Sequence, residues 1–310
     1  MSPDVFQKVT AGGAAVNLTD RAKFLLTGDD RIRYLNGQVT NDVRKASSKE
    51  TLYACVTNVK GKVEADVYIH ISGEDGGLYL DAEPDQRDPL ALRLEKYIIA
   101  DDVELQDITE AWQIFHLFGK AAEPWIEKAG TEGVILATRF GSRGVDIWLP
   151  AGTDPAWHDN VQQISPAEAN VWRVIHGVPR WPEELGADVF PQEAGLESQA
   201  MDFYKGCYIG QEILSRIKMS GKMPRELVRY SVPVEGVSPP VAASDWKLCI
   251  THTDGSLKEV GQTTSIVRHP VLDQFACLAY VRQALDKHSL LLVPDAMAKI
   301  RIHIEPNIYQ

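Results

Sequence analysis

A chain of 310 residues with 44% hydrophobic and 24% charged residues has the make-up of a globular protein large enough for two or three packed units. Its net charge of −11 argues against strong nucleic-acid binding, and no apolar run approaches the roughly 20 residues needed to span a bilayer. The opening MSPDVFQKVTAGG has no basic segment followed by an apolar core, so no secretory signal is expected; the expected location is cytoplasmic, with no direct membrane contact.

FLLTG (24–28) reads as a short strand, followed by a helix that Asp29 or Asp30 caps and in which Ile32, Leu35 and Val39 share a face. TLYACVTNVKGKVEADVYIHI (51–71) predicts two strands joined at Lys60-Gly61. In the second strand Val63, Ala65, Val67 and Ile69 alternate with Glu64, Asp66, Tyr68 and His70, which turns Asp66 away from the aliphatic face. Asp88-Pro89 opens a helix with Leu90, Leu94, Tyr97 and Ile98 on one side. WQIFHLFG (112–119), VILATRF (134–140) and GVDIWLP (144–150) are strand-like, with a helix expected over Lys120 to Lys128. Ser165-Pro166-Ala167-Glu168 has the form of a capping box and begins the helix leading to Arg173.

Strands and helices mix without a steady βαβ rhythm, which predicts an α+β body. Beyond it, ELVRYSVPV, WKLCITHT, EVGQTTSIVR, FACLAYVR and AKIRIHIEP are short β-like runs broken by Gly, Pro and Asp, the texture of a small antiparallel barrel or sandwich. The expected division is a body over 1–225, possibly of two subdomains, and a C-terminal β-barrel over 226–310.

The residues that could carry chemistry centre on KGCYIGQEILSRIK (205–218), where Cys207 lies between two glycines just before a helical pattern. The four cysteines are far apart, with no C-x-x-C pair, and the eight histidines show no ligand spacing, so reduced thiols and no metal site are expected. A thiolate is favoured by a nearby cation such as Lys205 and by a helix N-terminus. Free cysteine is among the most buried residue types, and on local chemistry alone that reading leads. Local chemistry leaves both readings open for Cys207, and no neighbouring histidine completes a Cys–His pair. From Asp202 to Arg225 the cations Lys205, Arg216, Lys218, Lys222 and Arg225 outnumber Asp202 and Glu212, as either a solvated or an anion-facing surface would require. Asp66 could accept hydrogen bonds from an amine-rich heterocycle, or be an ordinary surface carboxylate. Arg139, Asp146 and Arg173 are polar groups beside apolar segments and gain meaning only if they converge. Nucleotide-fold, P-loop, α/β-hydrolase and zincin signatures are absent from the sequence.

KGCYIGQE (205–212) resembles the K-G-C-[FY]-x-G-Q-E signature of the YgfZ family, folate-binding proteins that assist maturation or repair of iron–sulfur enzymes, tRNA-modifying ones included. FLLTGDDRIRYLNGQVTNDV, NVKGKVEADVYI, WRVIHGVPRWPEELGADVFPQEAGLE and EVGQTTSIVRHPVLDQFACLAYVR are similar, in order, to further blocks of that family. The related glycine-cleavage T-protein is a tetrahydrofolate-dependent aminomethyltransferase. The resemblance implies a T-protein-like folate-binding body around a central opening. Tetrahydrofolate or a folate derivative would sit against Asp66, Asp146 and Arg173. The signature residues Lys205, Gly206, Tyr208, Gln211 and Glu212 would stand beside it, and Cys207 would serve as the functional thiol at the rim. It also implies iron–sulfur client enzymes or assembly proteins as partners. Where the T-protein carries paired aspartates, this chain reads Ala65-Asp66. That loss favours the accessory role over the alternative, a folate-dependent aminomethyl or methyl transferase.

Overall fold

The computed structural model describes residues 1–72, 76–131, 133–155, 157, 161–235, 237–251, 254–283, 290–293 and 300–305. The chain opens with helix α1 (Pro3–Gly12), strands β1 (Ala14–Asn17) and β2 (Ala22–Thr27), and helix α2 (Arg31–Gln38). The hairpin β3 (Leu52–Thr57) and β4 (Val63–Ser72) follows, then β5 (Gly77–Ala82), α3 (Arg87–Glu95) and β6 (Glu104–Asp107). Next come β7 (Trp112–Phe118), the single turn α4 (Glu123–Ile126), the hairpin β8 (Val134–Arg139) and β9 (Ser142–Pro150), and β10 (Gln163–Ile164). Helices α5 (Pro166–Ile175), α6 (Glu197–Ala200) and α7 (Gln211–Ser220) lead to the last strands. These are β11 (Arg225–Pro233), β12 (Lys247–Thr251), β13 (Leu257–Arg268), β14 (Gln274–Arg282), β15 (Leu291–Val293), β16 (Ile300–Arg301) and β17 (His303–Glu305).

Three sheets result. The first, in the order β3-β4-β5-β2-β6, packs one face against α2 and α3 through Leu35, Leu90 and Leu94. Its other face meets the second sheet, β10-β1-β7-β9-β8, where His70 and Tyr79 contact Trp148 edge-on and Tyr79 also meets Trp112. Burial on both faces explains why β4, whose residues alternate apolar and polar, also buries Asp66 and His70 from its polar side. The third sheet, β16-β15-β12-β13-β14-β11-β17, is antiparallel and shares a core with the body, since Leu227, Leu278 and Tyr280 pack with Val174 and Leu185. The α+β class therefore holds.

The expected C-terminal barrel is corrected. Strands β16 and β17 end the sheet on opposite sides and do not pair with each other, so the sheet is not closed among the described residues. Only Ile302 separates these two strands, and the sheet curls until its edges lie one residue apart along the chain. Strand patterning reports a sheet but carries no information about where its last strand changes partner. The ends of WKLCITHT and AKIRIHIEP (252–253, 298–299 and 306) lie outside the described residues.

Two local expectations also change. The Asp30 side chain does not cap α2; its Oδ2 accepts the Asp102 N–H at 3.0 Å and thereby joins the helix start to the chain entering β6. The helix over Lys120 to Lys128 shrinks to a 3₁₀ turn (Gly119–Ala122) followed by α4. The capping box of α5 is present: Ser165 Oγ accepts the Glu168 N–H at 3.3 Å and Glu168 Oε2 accepts the Ser165 N–H at 2.9 Å. Ser165→Ala should lower stability by about 1 kcal/mol in chemical denaturation, by freeing the first turn of the helix that carries Arg173.

Candidate functional site

A cavity of about 930 Å³, counting its open mouth, lies where β1, the β3–β4 hairpin, the β8–β9 hairpin and α5 meet. Asp66 projects into it from β4, opposite Cys55 in the antiparallel register. Asp66 Oδ2 accepts the Tyr53 hydroxyl at 3.0 Å. Asp66 Oδ1 is buried with no hydrogen-bond partner among the described residues. Burial pushes the pKa of this carboxyl up to about 6, the negative Glu83 adds to the rise, and Arg21 opposes it. A second unsatisfied atom is Arg21 Nη2, also buried in the cavity wall. An acceptor and a donor, both dry and both unpaired, suit a ligand that offers the complementary pair.

Behind the wall runs a buried chain of alternating charges. Arg21 binds Asp81 and Glu83, and Asp81 Oδ2 accepts Arg139 Nη2 at 2.7 Å. Arg139 also binds Asp146 through Nε at 3.0 Å and Nη2 at 2.8 Å. Asp146 Oδ1 lies 2.8 Å from His116 Nδ1. Burial works against the charge on Asp146, yet the Arg139 guanidinium and His116 hold its carboxyl well below the usual range. Burial lowers the pKa of His116, so a neutral ring donates Nδ1–H to the carboxylate, which can only accept. The Arg139 guanidinium stacks 3.7 Å over the Tyr68 ring, and both residues face the cavity.

The β8–β9 turn is Phe140-Gly141, with φ of 53° and 76°. Two left-handed residues make the turn that a twisted hairpin favours, normally with Asn or Gly in place of an aromatic residue. Phe140 carries that strain while lining the cavity, and such costs gather at ligand sites. From α5, Arg173 also reaches the wall, but all three of its nitrogens are engaged. Nε binds Asn170 at 2.8 Å, Nη1 binds Val178 O at 3.1 Å and Glu184 at 2.8 Å, and Nη2 binds Ser265 Oγ at 3.0 Å. Glu184 Oε1 in turn accepts Thr264 Oγ1 at 2.8 Å and Ser265 Oγ at 2.6 Å, tying α5 to β13.

The segment 205–212 lies apart from this cavity. Lys205 is buried, and its Nζ donates to the carbonyls of Asn36 at 2.6 Å, Val39 at 2.7 Å and Asn41 at 2.6 Å. Burial lowers the pKa of its ammonium to about 7. Tyr208 packs inward with Met201 and Leu214. The Ile209 N–H donates to Gly37 O at 3.1 Å, and Ile209 O accepts Thr57 Oγ1 at 2.6 Å. Gly206 and Cys207 are exposed, and the thiol is free. Glu212 pairs with Arg216 on the open face of α7.

Residues 5–140 match the GCVT N-terminal domain. An iron–sulfur cluster assembly factor, the mitochondrial IBA57 homolog of Phaeosphaeria nodorum, is 25% identical over 73% of this chain and 57% of its own length. The tRNA-modifying protein YgfZ of Photobacterium profundum is 27% identical over 67% of both chains. The solved structure of the glycine cleavage system aminomethyltransferase T from Bartonella henselae covers 99% of this chain and 89% of its own, with a TM-score of 0.80 at 15% identity, a likeness of fold. The chain is therefore similar to GCVT-domain proteins over residues 5–140 and to YgfZ and IBA57 homologs over two thirds or more of its length.

Within this fold the residues expected around one ligand divide between two places. Asp66 and Arg173 line the cavity. Asp146 stands one layer behind, holding Arg139 rather than facing the space. Lys205, Gly206, Cys207, Tyr208, Gln211 and Glu212 are not among the lining residues. Lys205 faces inward to carbonyls, so the expected cation beside the thiol is spent elsewhere. Sequence reasoning missed Arg21, Glu83, Tyr53, Tyr68 and Phe140. Its one usable signal was Asp81, an acid inside the apolar run LYLDA.

The two signature glycines have separate reasons. A Cβ on Gly210, at φ 90°, would lie 2.6 Å from Asn58 O and 2.9 Å from Gly61 Cα, the turn of the β3–β4 hairpin. A Cβ on Gly206 would meet nothing within 4 Å. Gly210→Ala should therefore cost more than about 2 kcal/mol in denaturation, from a left-handed backbone plus a clash. Gly206→Ala should stay within about 0.5 kcal/mol of the parent.

Proposed function

We propose that this protein binds a reduced folate in the Asp66 cavity and acts, through Cys207, as a cytoplasmic accessory factor in the maturation or repair of iron–sulfur proteins, tRNA-modifying enzymes among them. The observation that carries the ligand half is the unpartnered, buried Asp66 Oδ1. The amino-pyrimidinone edge of a pterin presents adjacent N–H donors to a carboxylate and a carbonyl oxygen to a guanidinium, which suits Asp66 Oδ1 and Arg21 Nη2. Tyr53, Tyr68 and Phe140 supply flat apolar surface for its rings, and Arg180, also on the lining, offers a cation to a charged tail. When bound, a reduced folate accepts one-carbon units or serves as a reductant.

The second half rests on the exposed Cys207 thiol and on the names of the relatives, an iron–sulfur assembly factor and a tRNA-modifying protein. Four cysteines outside any disulfide fit a reducing compartment. One thiolate cannot by itself complete a four-ligand cluster site, so the cluster is cargo and the remaining ligands belong to a client or assembly protein.

Tetrahydrofolate titrated into the protein should show micromolar or tighter binding by calorimetry, and no heat of binding at micromolar protein would refute the ligand half. A donor ligand needs Asp66 ionised. Affinity should therefore weaken about tenfold per pH unit below about 6 and level off above it, and Asp66→Asn should flatten that profile while weakening binding at pH 8 by roughly ten- to a hundredfold.

The sign for stability is opposite. A carboxyl whose pKa is raised by folding contributes stability that is full below about pH 4 and lost as pH rises through about 6. Without ligand, Asp66→Asn should thus be more stable than the parent at pH 8, by about 3 kcal/mol at most, with the gap closing towards pH 4.

For the second half, Cys207→Ala introduced at the chromosomal locus should depress the activities of cellular iron–sulfur enzymes while leaving folate binding intact. Unchanged activities would remove the thiol from the function.

A further inference from the structure

Two stretches 164 residues apart, NGQVTND (36–42) and KGCYIGQE (205–212), form one physical joint. Helix α2 ends at Gln38, and carbonyls in its last turn lack intrahelical partners. Lys205 brings its ammonium into that end. Three protons meet three carbonyl oxygens, of Asn36, Val39 and Asn41, at 2.6 to 2.7 Å, so its donor capacity is filled. The partial negative charge of the helix C-terminus favours the cation there, and the Tyr208 ring lies 5.0 Å from Nζ. On the far side of Cys207, Ile209 is bonded to both Gly37 and Thr57, and Gly210 is seated on the Asn58–Gly61 turn. Gly206 and Cys207 are the exposed residues between the two anchors.

We propose that Lys205 is the positioning residue of Cys207: its caged ammonium fixes one end of the Gly206–Cys207 loop on the 36–41 segment, so that the thiol is presented in one place from a rigid base. The proposal rests on Cys207 being the working thiol. It assigns the signature lysine to holding the loop rather than to contacting a ligand. The same base reaches the cavity, because Asn41 Nδ2 donates to Tyr53 O at 2.9 Å and the Tyr53 hydroxyl binds Asp66.

The test uses the whole chain with Lys205→Ala, well below its unfolding temperature. Cys55, Cys249 and Cys277 are buried, so iodoacetamide reports on Cys207. Hydrogen exchange at the Ile209 amide should quicken by about tenfold or more, while amides in β13 and β14 keep their rates. Alkylation of Cys207 should change by more than roughly threefold. Ammonium ion, which fits the cage, should reverse both effects; tetramethylammonium, which has no N–H, should not. A lowered unfolding temperature with unchanged Ile209 exchange and unchanged alkylation would show an ordinary structural lysine and overturn the proposal, as would equal rescue by the two cations. If the variant does not fold, the parent protein decides. Its spectrum should contain a slowly exchanging lysine ¹H–¹⁵N ammonium signal with cross-peaks to residues 36–41, and absence of that signal refutes the cage. None of these readouts involves folate, iron or a client, so they stand or fall separately from the cellular test of Cys207→Ala.

Discussion

The guanidinium of Arg139 is the bolt between the two body sheets. Asp81 belongs to β5 in the first sheet and Asp146 to β9 in the second, and Arg139 binds both from β8. Burying these charges costs several kcal/mol of desolvation per ion, and pairing only roughly recovers it. An apolar contact between the sheets would hold them as well. What the ions add is geometry: the guanidinium has fixed donor directions, so the sheets meet at one angle and Tyr68 is pinned beneath a planar cation. The cavity exists because this cluster, with Arg21 and Glu83, cannot be packed over with aliphatic side chains without stranding a charge.

A second ionic joint bounds the same space. Arg173 and Glu184 connect α5 to Ser265 and Thr264 on β13, so the C-terminal sheet is fixed to the cavity wall rather than merely following the body in sequence. Among the described residues, the buried carboxylate that remains imperfectly satisfied is Asp66, and its unpaired oxygen is a standing cost.

Much of this was legible in the sequence. The β3–β4 hairpin, the capping box of α5 and the α+β class follow from period and turn chemistry, which are local. Asp66 was found because a carboxylate opposite an aliphatic face has to go somewhere polar. Asp146 and Arg173 stand out in the sequence as polar groups beside apolar segments, but what each touches depends on strand register and on residues tens of positions away, such as Asp81 and Ser265. Lys205 illustrates the same limit more sharply. In sequence it is the cation next to a cysteine; in space its partners are carbonyls of residues 36, 39 and 41, which no local pattern could have paired with it. The curled but open C-terminal sheet was missed because closure depends on where one short strand breaks at Ile302.

The β3–β4 hairpin is common to both places where chemistry is concentrated. Near its open end Tyr53 and Asp66 face the cavity, while at its turn Asn58 and Gly61 carry Gly210 of the thiol-bearing segment. Cys207 is not part of the cavity lining, so a bound heterocycle and the thiol are not arranged as reactant and nucleophile. They are instead attached to one rigid element, with residues 40 and 41 bridging between. Thr40 Oγ1 accepts the Cys55 N–H at 2.9 Å and donates to Ala200 O at 2.5 Å, and Asn41 holds Tyr53. Were a ligand to order Tyr53 and Asp66, it would stiffen the base on which the thiol stands, and by reciprocity a partner seated on the thiol would stiffen the wall of the cavity. The proposed roles of Cys207 and Asp66 thus rest on one hairpin without sharing an atom.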